Sequence, residues 1–140
     1  MTSDKQAAAK ATASANDGYK ARGYRDLLVW PKGISLVKRI YEITGRFPSD
    51  ERFGLTAQMR RAAVSIPSNI SEGQARKSTR EFVQFISNAE GSLAELDTQI
   101  VIAGELRFVA GAEVSVIAAE LDELRRMLNA LRRKLTLRES

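Results

Sequence analysis

The chain contains no histidine and no cysteine. Without an imidazole, Ser-His-Asp and Cys-His catalysis, zinc-hydrolase sites and the Glu-x-x-His di-iron bundle are all excluded. Without a thiol there is no disulfide, no cysteine metal site and no thiol nucleophile, and a reducing compartment, the cytoplasm, is the expected setting. A carboxylate-only magnesium site or a Lys/Tyr acid–base pair survives only on paper. The expectation is a protein that is not an enzyme and holds no metal and no cofactor. No apolar run reaches the roughly 18 residues of a membrane span. The N-terminus lacks the roughly 7–15-residue apolar stretch of a secretory signal. No stretch alternates with period two, so no sheet is expected.

What is present is helical. Of 140 residues, 44% are hydrophobic and 28% charged, the balance of a soluble globular domain. The length suits one domain. Residues 1–22 are rich in Ala, Ser, Thr and Lys with no apolar face, which predicts a disordered tail, either a basic tether or an idle extension. Residues 23–140 form the expected domain.

From Leu27, Val29, Gly33, Leu36, Ile40, Ile43 and Phe47 step by four and three, and Trp30, Ile34, Val37 and Tyr41 form an adjacent stripe. Pro31 fits the first turn of this helix. Phe47-Pro48 ends it, and Ser49-Asp50 is the next expected N-cap. The second helix carries Leu55, Met59, Ala62, Ile66 and Ile70. Ile70 stays in phase with Ile66 across Pro67, which predicts one kinked helix at a cost of roughly 3 kcal/mol in an exposed setting. A helix-loop-helix at 67–73 is the competing possibility. Gly73 is expected as a left-handed cap.

Ser78 and Glu81 have the spacing of a capping box. Behind them runs a heptad seam of Phe82, Ile86, Ala89, Leu93, Leu96, Ile100 and Ala103, then a turn at 108–111. A second seam follows in Val114, Ile117, Leu121, Leu124, Leu128, Leu131 and Leu135. Four helices of similar length with short connections predict an all-α fold, an antiparallel up-down-up-down four-helix bundle.

Ile100 to Ala103 is apolar all round the helix, and Val116 and Met127 lie off the fourth seam. Val101, Ile102, Val116 and Met127 are therefore candidates for an oligomer interface, against the plainer alternative of ordinary exposed apolar area. Gly91-Ser92 in mid-helix suggests close approach of the second helix. Arg60, Arg61, Glu72, Glu90 and Glu95 are more naturally charge pairs than metal ligands.

The charge layout points furthest. Net charge is +5. Glu81 to Glu123 holds nine acidic residues and one basic, whereas Leu124 to Arg138 holds six basic residues and no acidic one. Antiparallel threading gathers Arg132, Arg133, Lys134 and Arg138 with Arg76, Lys77 and Arg80, and with Lys20, Arg22 and Arg25, at one pole. Arg125 and Arg126 lie on the same helix. Cations at helix C-termini complement the macrodipole, but Arg25 and Arg80 lie near N-termini, where phosphate binds. Nucleic-acid binding through this pole, led by the backbone and sensitive to salt, is one expectation. Simple helix capping is the other. No base-reading motif accompanies it.

The segment LLVWPKGISLVKRIYEITGRFPSDERFGLTAQMRRAAVSIPSNISEG, with the S-x-x-E-F and E-G-S-L-x-E-L runs after it, resembles the 23S rRNA intervening-sequence proteins. The resemblance covers Tyr24 to Arg133. Its core motif, Q-x-RRAAVSI-x-SNI-x-EG, includes Arg60, Arg61, Ser65, Pro67, Ser68, Asn69, Glu72 and Gly73. It implies a four-helix bundle assembling as a ring-like homopentamer, with no catalytic residues. It also implies RNA, or a ribosomal or reverse-transcriptase nucleoprotein, as the partner, since a related bundle serves diversity-generating retroelements. The function expected is a homo-oligomer binding RNA through its basic pole. The alternative is an adaptor recruiting a protein through an apolar flank.

Overall fold

The computed structural model describes residues 23–24 and 27–139, and its helices form an antiparallel bundle. The expected tail, with Lys20 and Arg22, and the cation Arg25 lie outside the described residues. Four helices follow in order: α1 (Val29–Thr44), α2 (Leu55–Gln74), α3 (Thr79–Glu105) and α4 (Gly111–Glu139). A 3₁₀ turn at Ser49–Glu51 interrupts the first connection. Each helix packs on its sequence neighbours, and α4 closes the ring against α1 along the loosest seam. Three ion pairs span that seam: Lys32–Glu123, Arg39–Glu120 and Arg46–Glu113. The helices are not of similar length, since α1 has 16 residues and α4 has 29.

The core follows the heptad seams. Ile40, Ile66, Ile86, Ile100 and Leu128 have no exposed surface, and each such side chain contributes about 1.5–3 kcal/mol by leaving water. The α2 helix runs unbroken through Pro67, so no loop intervenes. Ile66 and Ile70 are both buried, which keeps the apolar stripe in phase on either side of the proline. The ring of Pro67 is itself buried against α1. A Cβ placed on Gly33 would lie 3.3 Å from the Pro67 Cβ, so the two helices approach closely here. The Asn69 amide donates to the Ser65 carbonyl and to its hydroxyl, both at 2.8 Å, holding the turn around the proline together.

Three local expectations are corrected. Gly73 is not a left-handed cap, because α2 continues to Gln74 and among the described residues the only glycine with positive φ is Gly23. Gly73 is instead buried beneath α3, where a Cβ would lie 2.7 Å from the Phe85 Cβ. Gly91 is exposed, with nothing within 4 Å of a Cβ, so it makes no close approach. Its neighbour Ser92 does, sharing a 2.7 Å hydrogen bond with Ser65. Ser49-Asp50 does not cap α2. The Leu55 N–H donates to the Glu51 carboxylate at 2.9 Å, because the 3₁₀ turn carries Glu51 to the helix start.

Candidate nucleic-acid interface

The turn joining α2 to α3 is set by Ser78. Its backbone is extended (φ −113°, ψ 148°), and its hydroxyl accepts the Glu81 N–H at 3.1 Å. This stops α2 from running into α3 and presents Arg76 and Lys77 at the end of the bundle. The final turns of α4 reach the same place. Arg76, Lys77, Ser78 and Thr79 line a cleft of about 290 Å³ together with Leu135 and Arg138. The Arg76 guanidinium lies over the Phe85 ring at 4.7 Å, which fixes its plane beside the cleft. Arg80, Arg133 and Lys134 are exposed nearby in sequence, and among the described residues they and Lys77 form no ion pair.

The remaining three candidates are held by carboxylates. Arg125 and Arg126 both pair with Asp122, one turn earlier on α4. Arg132 reaches across to Glu90 of α3, in a pair whose carboxylate is mostly buried. Held by Asp122 and Glu90 away from the end of the bundle, these three do not belong with the polar cluster. Helix phase explains this, since Arg132 and Arg125 face α3 while Arg133 turns outward. The opposite pole is balanced by contrast. There Arg46 donates to Glu113 at 2.8 Å, and this hydrogen bond holds the Glu113 carboxyl below the usual carboxylate range.

The four interface candidates do not share a face. Val101 and Ile102 are 53% and 42% exposed, but they are adjacent on α3 and so diverge by about 100°. Val116 is exposed on the side of α4 that carries Glu113 and Glu120 toward α1. Met127 is half-buried against the core. Sequence periodicity marked surplus apolar residues here without showing where they pointed.

The core-motif residues serve packing. Arg60 donates to the Thr44 hydroxyl at 2.9 Å and stacks over Tyr41 at 4.3 Å, tying α2 to the end of α1. Ser65 and Asn69 tie α2 to α3 through Ser92. Pro67 meets α1 and Gly73 meets α3. Arg61, Ser68 and Glu72 are exposed, and the Ser68 carbonyl accepts the Ser71 hydroxyl at 3.0 Å. The motif is thus mainly a code for the helix that touches both α1 and α3. Among the described residues no three carboxylates converge to hold a cation, and no helix is long and apolar enough to cross a membrane.

An antiparallel four-helix bundle with a proline-bearing second helix and one cationic end defines the class. Residues 25–130 match the family described as 23S rRNA-intervening sequence protein, and the chain belongs to that family. The fold is similar to a crystal structure of a protein of unknown function from the S23 ribosomal protein family of Bacteroides thetaiotaomicron. The TM-score is 0.71 at 18% identity, covering 76% of this chain and 96% of that one. Among curated proteins no sequence match is found.

Proposed function

We propose that this protein is a non-enzymatic, cytoplasmic homo-oligomer, a pentamer by family resemblance, that binds RNA or a ribonucleoprotein through its basic pole. The observation that carries the reading is the cleft shared by Arg76, Lys77 and Arg138 at the start of α3. Lys77 and Arg80 flank the start of α3 and form no ion pair among the described residues, and cations beside a helix N-terminus favour phosphate oxygens. The contacts are with the RNA backbone, so sequence preference is weak and salt dependence strong.

Filter binding to generic RNA between low and moderate salt tests this. Each phosphate contact contributes about 0.7–0.9 to the slope of log affinity against log salt. Lys77→Ala, Arg133→Ala and Lys134→Ala are each expected to lower that slope by about one, uniformly across RNA sequences. None should move the melting temperature by more than about 2 °C, as befits exposed side chains. Salt-insensitive binding, or none, would sink the reading and favour the adaptor. In that second function a protein partner is recruited through exposed apolar side chains, and the basic pole serves only to cap helices.

A further inference from the structure

We propose that the basic pole selects single-stranded RNA, stacking one base on the outer face of the Arg76 guanidinium while the attached phosphate sits in the cleft beside it. This rests on the RNA-binding reading above and names the form of RNA that the site takes. Arg76 is exposed, and the Phe85 ring occupies one face of its guanidinium, 4.7 Å from the ring centre. Among the described residues the guanidinium has no other ring contact and no ion pair, so its second face and its N–H edge stay open. Phe85 is half-buried on α3, so the plane that it supports is held by a helix rather than by a loop. Phosphate needs charge and donors but no flat support, and a lysine would serve it as a point charge. A supported guanidinium plane suits a flat ligand, and unstacked RNA bases settle on such planes.

The cleft supplies the rest of a nucleotide site. Its volume of about 290 Å³ is many times the ~30 Å³ share of one water, more than a phosphate group alone fills. Phe82 and Leu135 close its floor, 7% and 2% exposed, and Lys77, Ser78 and Thr79 stand on its rim. The Ser78 hydroxyl accepts the Glu81 N–H and keeps its own hydrogen to donate. Cationic and hydroxyl donors above a small apolar floor suit a sugar with its phosphate. A duplex does not offer this ligand. Its bases stay in the stack, and the A-form major groove is too narrow for side chains to enter. Only an unpaired strand can turn a base out onto Arg76. Stacking tolerates any base, which keeps sequence preference weak.

Equilibrium binding of the full chain to three probes of equal length tests this at fixed salt. The probes are a short oligouridylate, the same strand annealed to oligoadenylate, and the same strand lacking its bases. The oligouridylate is expected to bind about tenfold more tightly than either of the others, the effect of one stacked base. Arg76→Lys keeps the charge and loses the plane, so the three affinities should fall within about twofold of one another while the salt slope stays unchanged. Phe85→Leu leaves every charge in place and should do the same by freeing the guanidinium. Should that variant misfold, Arg76→Lys still decides, because its side chain is exposed and circular dichroism should report unchanged melting. Equal, salt-sensitive affinity of the wild type for all three probes would overturn the stacked base and leave backbone binding at the pole intact. No binding to any probe would remove the RNA reading itself. A preference for the single strand that survives Arg76→Lys would overturn the site assigned here.

Discussion

Gly73 and Gly91 both lie inside helices, yet they make opposite demands on an added methyl group. At Gly73 the methyl would sit 2.7 Å from the Phe85 Cβ and 2.9 Å from the Phe82 ring, closer than packed carbons come. Phe82 is buried and cannot swing away. Gly73→Ala is therefore expected to destabilise by about 1–2 kcal/mol, overpacking outweighing the gain in helix propensity. At Gly91 nothing stands within 4 Å. Gly91→Ala should stabilise by about 0.5–1 kcal/mol, because only the backbone entropy of glycine is removed. Urea midpoints at unchanged slope measure both. Equal signs would mean that α2 and α3 are not as close at Gly73 as described.

At the scale of the element, α3 is delimited by two different devices. Its start depends on the Ser78 hydroxyl, so Ser78→Ala should cost about 1 kcal/mol in urea unfolding. Its end is a Schellman turn. The Phe108 N–H reaches the Ala103 carbonyl at 2.9 Å, and the Arg107 N–H reaches that of Gly104 at 3.0 Å. This forces Arg107 to φ 65°, a region that penalises its Cβ. Arg107→Gly should raise stability by up to about 1 kcal/mol, seen as a higher urea midpoint. The first device was legible in the sequence because capping chemistry is local, and so were the seams of α3 and α4 and the phase kept across Pro67. The Schellman turn was not, since arginine carries no signal for positive φ. Gly73 misled for a related reason. Its constraint comes from Phe82 and Phe85 on the next helix, whereas a glycine near a helix end reads as a cap. The basic pole was legible as charge clusters at chain positions that antiparallel threading brings together. The loss of Arg132 from it was not, because Glu90 lies 42 positions away and only helix phase aims the two at each other.

At the scale of the whole molecule, three ion pairs cross the α1–α4 seam beside its apolar core, which makes part of its closure sensitive to acid. Glu113 is the clearest case. The Arg46 hydrogen bond is the largest cause of its lowered pKa; desolvation, next in size, opposes it, and the Arg46 charge and the Ala110 N–H add smaller lowering effects. A carboxyl whose folded pKa lies below its unfolded one stabilises the fold fully above the unfolded value. That contribution fades as pH falls through the folded value. The unfolded value is about 4.3, so the loss is expected from about pH 4 downward. Arg46 is shifted the other way, upward from a value already beyond the working range, and adds no slope there. Both partners are well exposed, so the effect is small and weakens with salt. The comparison that isolates it is Glu113→Gln against wild type. Melting temperatures at pH 6 should be lower for the variant, and the difference should shrink as the pH is lowered toward 2.5 and the carboxyl takes up its proton. A difference that persists unchanged at pH 2.5 would mean that Glu113 acts through packing rather than charge, and the seam would then owe its closure to something other than its ion pairs.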